Sequence, residues 1–259
     1  LLGSRLVSPM RYRKLGNSGL EVSEIGFGAW GIGGLTKGAT SYGPVDDGES
    51  KKALLLAHEK GITFYDTADV YGYGHSEEVI GQTLRGVRQR LVIATKVGFL
   101  EHNEPQDFSP EHIRASLAGS LKRLKTDYVD LYQLHSPPIE VVKNNAAILP
   151  TLQSLKTEGK IRAFGISVKK PEDALVAINE LGFNCIQVNF NMIDQRILEN
   201  GLVDLARERG VGVIARTPLG FGFLSGAYSK ANFDPRDHRS SWSAAQLETW
   251  AKAPQLFAH

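Results

Sequence analysis

Phe64-Tyr65-Asp66-Thr67-Ala68-Asp69-Val70-Tyr71-Gly72 begins as a buried strand and ends as a loop. The apolar run Ile62-Thr63-Phe64-Tyr65 stops at Asp66, and Tyr71 lies on the loop leading into the next helix. A carboxylate at a strand end and a phenol on the following loop can face one pocket. Taken alone, the pair is a weak signal and reads more readily as an Asp capping nearby backbone N–H groups and a surface Tyr. The ends of the neighbouring strands decide between the two.

Outward from this stretch the chain alternates strand and helix. Upstream, residues 11–25 read as a hairpin turning at Asn17-Ser18-Gly19, followed by a strand at Ile25. Residues 49–60 carry Ala53, Leu54, Leu56 and Ala57 at helical spacing. Downstream, strands are expected at 91–96, 128–134, 163–167, 185–190 and 211–215. The helices between and around them are expected at 76–84, 109–124, 141–158, 171–181 and 198–209. Ser109 and Pro110 cap and open one of these helices. Apolar strands between amphipathic helices imply a parallel sheet covered by helices. Seven such strands at regular spacing predict an α/β fold, a (β/α)8 TIM barrel with an N-terminal β-hairpin, lacking its eighth strand in this chain. After Tyr228 the chain is polar, with one short helix expected at 243–252. Either the natural chain continues or the barrel closes in another way. A truncated barrel exposes the apolar edges of its first and seventh strands. Residues 10–259 are expected to form a single domain. Met10 is the expected natural start, with residues 1–9 a foreign leader.

Gly26-Phe27-Gly28-Ala29-Trp30-Gly31 matches the spacing G-x-G-x-x-G. A dinucleotide-binding reading needs its third glycine to open a helix. Here Gly33, Gly34, Gly38, Gly43 and Pro44 follow, so a long loop is expected and the Rossmann reading is rejected. The glycines instead let backbone approach a ligand or another strand.

The 259 residues carry a net charge of +2, too small to argue for nucleic acid or a membrane surface. Mean hydropathy is −0.20. No apolar run approaches the roughly 18 residues of a membrane span. Cys185 is the single cysteine, so no intrachain disulfide can form, and a reducing cytoplasm is the simplest location. It lies in an apolar strand and reads as core.

In a barrel of this kind the site lies at the C-terminal strand ends. Those ends read Asp66, Lys96 and His135, with Tyr71 just beyond the first. A lysine there is costly unless paired, and Asp66 is the natural partner. Singly, Lys96 reads as a structural ion pair and His135 as a loop histidine; together the four suit proton delivery. A nearby Lys⁺ favours a phenolate, so a phenol tuned by it can protonate an oxygen gaining negative charge. Histidine can donate a hydrogen bond to the same oxygen. The set suits reduction of a carbonyl by an external hydride. Hydrolysis would need a nucleophile with its own base, and none is evident. His75, His102 and His112 are scattered without metal-ligand spacing, so no metal site is expected.

Three stretches resemble signature stretches of the aldo-keto reductases: residues 64–72, Ile93-Ala94-Thr95-Lys96, and the run from Asp127 to His135. So do residues 159–167 and Pro218-Leu219-Gly220-Phe221-Gly222-Phe223-Leu224-Ser225-Gly226. The resemblance covers about 11–243. It implies an NADPH-dependent oxidoreductase that reduces an aldehyde or ketone, with Tyr71 as general acid, Lys96 and Asp66 tuning it, and His135 orienting the carbonyl. It further implies that Ser167 and Gln187 hold the nicotinamide carboxamide, that Gly28, Ala29 and Trp30 line the cofactor's path beside Asp66, and that the loop Arg216, Thr217, Pro218, Leu219 to Gly222 passes over the pyrophosphate. NADPH/NADP+ is thus the implied cofactor and a small-molecule carbonyl the implied substrate, bound by Trp30, Tyr71, Phe99 and His135.

The sequence departs from the family pattern at two positions. Val168 stands where the family usually has Asn after its serine. Arg216 stands where an aromatic residue often stacks on the nicotinamide; a planar guanidinium can stack there or reach a phosphate. The segment that normally holds the adenosine 2′-phosphate is absent from this chain, so the choice of NADPH over NADH rests on resemblance. An alternative within the family is an NADP-binding regulatory subunit with little turnover. Specificity is expected to come from the loops 31–47 and 98–107, with Trp30 and Phe99 as apolar walls.

Overall fold

The computed structural model describes residues 9–101, 105–228 and 232–257. His102 and residues 1–8 of the expected leader lie outside them.

A two-stranded antiparallel hairpin comes first, β1 (Tyr12–Lys14) and β2 (Glu21–Ser23). Seven parallel strands follow in sequence order across one sheet: β3 (Gly26–Gly28), β4 (Phe64–Asp66), β5 (Val92–Val97), β6 (Val129–His135), β7 (Ile161–Ser167), β8 (Cys185–Asn189) and β9 (Gly212–Arg216). Strand neighbours in space are strand neighbours in sequence, the order of a barrel wound in one direction. β3 and β9 are its two edges, so among the described residues the expected seven-strand barrel without an eighth strand is what forms.

The helices are α1 (Asp47–Glu59), α2 (His75–Leu84), α3 (Pro110–Leu124), α4 (Ile139–Asn144), α5 (Ile148–Thr157), α6 (Pro171–Asn179), α7 (Arg196–Glu199), α8 (Leu202–Arg209) and α9 (Ala244–Lys252). Local chemistry sets their ends. The Asp46 side chain accepts from Glu49 N at 2.8 Å to start α1. Ser109 accepts from His112 N to start α3, whose buried residues Ile113, Leu117, Ser120 and Leu124 form one stripe. Two expected helices are each broken in two. The span 141–158 divides into α4 and α5 because Asn145 leaves helical geometry and its side chain accepts from Ala147 N at 3.1 Å. The span 198–209 divides into α7 and α8 at Gly201, whose φ of 79° a helix cannot hold. The third glycine of the 26–31 motif lies in a single turn of 3-10 helix over Ala29–Ile32 before the expected loop.

Two apolar layers result from the period of two along the strands. Outward residues such as Tyr65, Ile93, Tyr132, Ile166 and Ile186 pack against the helices. Inward residues Phe64, Val92, Ala94, Leu131, Ala163, Cys185 and Ile214 fill the barrel, with Leu15, Leu20 and Val22 of the hairpin segment beneath them. The hairpin is a plug. Asn17 N donates to Gly210 O at 2.7 Å, and Leu15 packs so closely on Gly212 that a Cβ there would overlap it. Cys185 is fully buried, and burial pushes its thiol up to about 11.

Above the plug the seam between β3 and β9 is open. Ile25 beside it is 62% exposed. Among the described residues no helix is long and apolar enough to cross a membrane.

Candidate active site

The inward stripe of each strand starts apolar beneath and finishes polar above. Phe64 leads to Asp66, Ala94 to Lys96, Leu131 to Gln133 and His135, Ala163 to Ser167, Cys185 to Gln187, and Ile214 to Arg216. Register places these ends side by side: Lys96 beside Gln133, His135 beside Ser167, Ser167 beside Gln187. A strand period and a parallel register are enough to gather them at one rim.

Lys96 stands at the centre and is 1% exposed. Its Nζ donates to Asp66 Oδ2 at 2.7 Å, to Thr67 O at 2.7 Å and to Tyr71 Oη at 3.3 Å. Those three bonds use all three ammonium donors. Burial works against the charge, but the Asp66 carboxylate and the Tyr71 oxygen outweigh it and raise the Lys96 pKa above its ordinary value. Gln133 Nε2 reaches Asp66 Oδ1 at 3.3 Å from the other side. Gln133 was not among the expected site residues. The signal for it was the phase of its strand, since it alternates with Leu131 and His135.

The loop bearing Tyr71 is fixed from three directions. Thr67 N donates to Ala94 O at 2.8 Å, extending β4 along β5. Gly72 lies against the Gly33 carbonyl with φ of 59°, and a Cβ on it would overlap that oxygen. Asp69 Oδ2 accepts from Ser116 Oγ of α3 at 2.6 Å. Burial, then the nearby Glu77, push the Asp69 carboxyl up to about 7 against the pull of the Ser116 bond. Its Oδ1 is shielded from solvent with no hydrogen-bond partner.

The His135 ring meets the Tyr71 ring edge-on at 5.8 Å and the Phe99 ring at 4.8 Å. Gln106 Nε2 donates to His135 O at 2.7 Å and holds its backbone. Trp30 lies 6.2 Å from the Tyr71 ring. Tyr42 and His238 join Trp30 at 4.7 and 4.9 Å, which sequence reading did not anticipate. They arrive by a latch between distant loops: Ser41 and Tyr42 bridge to Asp237, and His238 N donates to Ser41 O at 2.7 Å. Arg239 beside them is bidentate to Asp237 and stacked 4.7 Å over the Tyr42 ring.

These groups surround one cavity of about 1380 Å³ that runs along the open seam. Asp66, Tyr71 and His135 open onto it, as do Gly28, Ala29, Trp30 and Gln187. The loop residues Arg216, Thr217, Pro218, Leu219 and Gly222 line its far wall. Lys96 and Ser167 lie just beneath this surface, and Phe99 stands beside it against His135. Ala29 turns its carbonyl to Ser76 Oγ at 2.8 Å. Val168 is fully buried, with its N–H donating to Gln187 O at 2.8 Å. A Cβ at Gly28 or at Gly31 would meet nothing within 4 Å, so the cavity floor there is open to a bulky ligand. A second cleft of about 540 Å³ lies on the outside between α3 and α5 and has none of the strand-end groups. Among the described residues no group of three His, Cys, Asp or Glu side chains is placed to hold a metal ion.

The arrangement can deliver one proton from a phenol whose oxygen is already held by an ammonium group. The model of the Aldo/keto reductase family matches residues 24–257, and the chain belongs to that family. The NADH-specific methylglyoxal reductase of Escherichia coli is 33% identical over 237 residues, 85% of this chain and 71% of its own length. The aldo-keto reductase yakc [NADP(+)] of Schizosaccharomyces pombe is 33% identical over 257 residues, 94% of this chain and 72% of its own length. The holo form of an aldo-keto reductase from Bacillus halodurans superimposes with a TM-score of 0.72 at 32% identity, covering 93% of this chain and 76% of that one. The chain spans as little as 60% of the length of the curated relatives it matches.

Proposed function

We propose that this chain reduces an aldehyde or ketone to an alcohol with a nicotinamide dinucleotide, with Tyr71 as the general acid. The observation that carries the reading is the three-way bond of Lys96 to Asp66, Thr67 and Tyr71 just beneath the cavity wall. The donor set also suits the dinucleotide. Arg216 and Arg239 line a cavity whose floor at Gly28 and Gly31 is open. When bound there, the reduced nicotinamide supplies the hydride that goes to the carbonyl carbon.

The remaining chemistry belongs to the chain. Lys96 has no acceptor, so the Tyr71 oxygen accepts from it and keeps its own O–H for another partner. His135 and Tyr71 hold the carbonyl oxygen between them. As the carbon gains the hydride, the C=O π pair moves to oxygen, and Tyr71 gives that oxygen its proton. Lys96 stabilises the phenolate that remains, and Asp66 and Thr67 keep Lys96 in place. Tyr71 regains a proton from solvent through the open cavity. Ser167 and Gln187 are the carboxamide contacts in this reading, and residues 216–222 cover the pyrophosphate.

NADPH is the dinucleotide carried over from the family resemblance. One relative is named for NADP(+) and another for NADH, so titration with both decides the preference. The regulatory reading is not favoured, because both of those relatives are named as reductases. The test is dinucleotide oxidation against a panel of aliphatic and aromatic carbonyls, wild type beside Tyr71→Phe. The expected loss in Tyr71→Phe is about 10²- to 10⁴-fold in kcat with dinucleotide affinity kept. Equal turnover by the two proteins would remove Tyr71 from the acid role.

A further inference from the structure

Arg216 ends β9 on the inward stripe, and its guanidinium reaches across the rim of the barrel. Nη1 donates to Ser167 Oγ at 3.1 Å and to Ser136 Oγ at 3.2 Å. Ser167 is the register partner of His135, and Ser136 follows His135 in the chain. The cation therefore stands at the level of His135, one of the two groups that would hold a carbonyl oxygen. Both of its partners are neutral hydroxyls. Lys96 has Asp66 and Arg239 has Asp237, but among the described residues Arg216 makes no ion pair. A guanidinium keeps its charge at any working pH. Held half-buried at a cavity wall, that charge is felt more strongly by a neighbour than it would be in water.

A hydride donor that can reach a carbonyl placed between Tyr71 and His135 has to lie against this same rim. The nicotinamide ring carries one positive charge when oxidised and none when reduced, while the rest of the dinucleotide is unchanged. Arg216 therefore repels one redox state and not the other. We propose that Arg216 makes the site select the reduced dinucleotide over the oxidised one, so that the reduced form occupies the site in a mixed pool and the oxidised product leaves faster. The inference rests on the oxidoreductase reading above. It differs from a phosphate contact, which would strengthen both redox states alike, and from simple stacking of a planar group on the ring.

Direct binding tests it without turnover. NADPH and NADP+, and NADH and NAD+, are titrated into wild type, Arg216→Gln and Arg216→Lys by calorimetry, and the ratio of oxidised to reduced Kd is taken for each pair. The glutamine carries no charge and keeps a polar amide at the level of the arginine Nε; the lysine keeps the charge. The expected result is a ratio about tenfold smaller in Arg216→Gln than in wild type, the effect of one partly screened charge pair, with Arg216→Lys close to wild type. An unchanged ratio in Arg216→Gln, or equal weakening of both redox states, overturns the inference and leaves the oxidoreductase reading standing. Binding of neither form by the wild type overturns both.

Discussion

Lys96 is almost wholly enclosed and yet held in its charged form, which is possible only because three acceptors surround it. Removing one member of such a pair costs more than the pair contributes, since the other is left as an uncompensated buried charge. Lys96→Met should therefore abolish turnover and also lower unfolding free energy by about 3–5 kcal/mol in urea titrations. Adding Asp66→Asn should restore part of that stability and none of the activity. A Lys96→Met protein as stable as wild type would mean that the Asp66 carboxylate is solvated, contrary to the geometry. At this scale the site was readable wherever an apolar run stopped at an ionisable residue, as at Asp66, Lys96 and His135. Gln133 was hidden inside such a run. Arg216 was visible as a residue, but its two hydroxyl partners come from the ends of β6 and β7, which only the barrel's fold brings near.

The Tyr71 loop and α3 meet through Asp69 and Ser116, and that contact should titrate. The Asp69 carboxyl is raised from 3.8 to about 7, with burial the leading cause. Between those values the folded protein holds a proton that the unfolded chain has released, so stability falls as pH rises, by about 1.4 kcal/mol per unit. Asp69→Asn should remove this slope while keeping an acceptor for Ser116. Unfolding free energies of the two proteins should accordingly diverge between pH 4 and 7, with the variant gaining, and run parallel above. Parallel curves throughout would show that Asp69 ionises freely. Elements were legible where a cap was local, as with Ser109 and Pro110 opening α3. The breaks at Asn145 and Gly201 were not, because apolar spacing runs on across them and only the side-chain bond of Asn145 and the left-handed φ of Gly201 interrupt the helix. The latch of Tyr42 and His238 over Trp30 joins positions nearly two hundred residues apart, and no local pattern announces it.

Across the whole molecule, one sheet has a closed side and an open one. β5, β6 and β7 are paired on both flanks and covered by helices, whereas β3 and β9 each have a free flank along the cavity. Opening free energy follows that asymmetry, since an unpaired edge loses few contacts when it frays. The hairpin plug holds only the lower end, where Leu15 and Asn17 meet Gly212 and Gly210. Amide hydrogen exchange should therefore rank β5 to β7 slowest and β3 and β9 fastest among the strands. A dinucleotide lying along the seam would touch both edges at once, through residues 28–31 on one side and 216–222 on the other. Saturating dinucleotide should slow exchange at these two segments together, by about tenfold or more at 100 times Kd, and leave β6 unchanged. Protection that appears on one edge alone would place the ligand on that wall and not across the seam. Protection spread evenly over all seven strands would mean that the barrel opens only as a unit, and that the seam is no weaker than the rest.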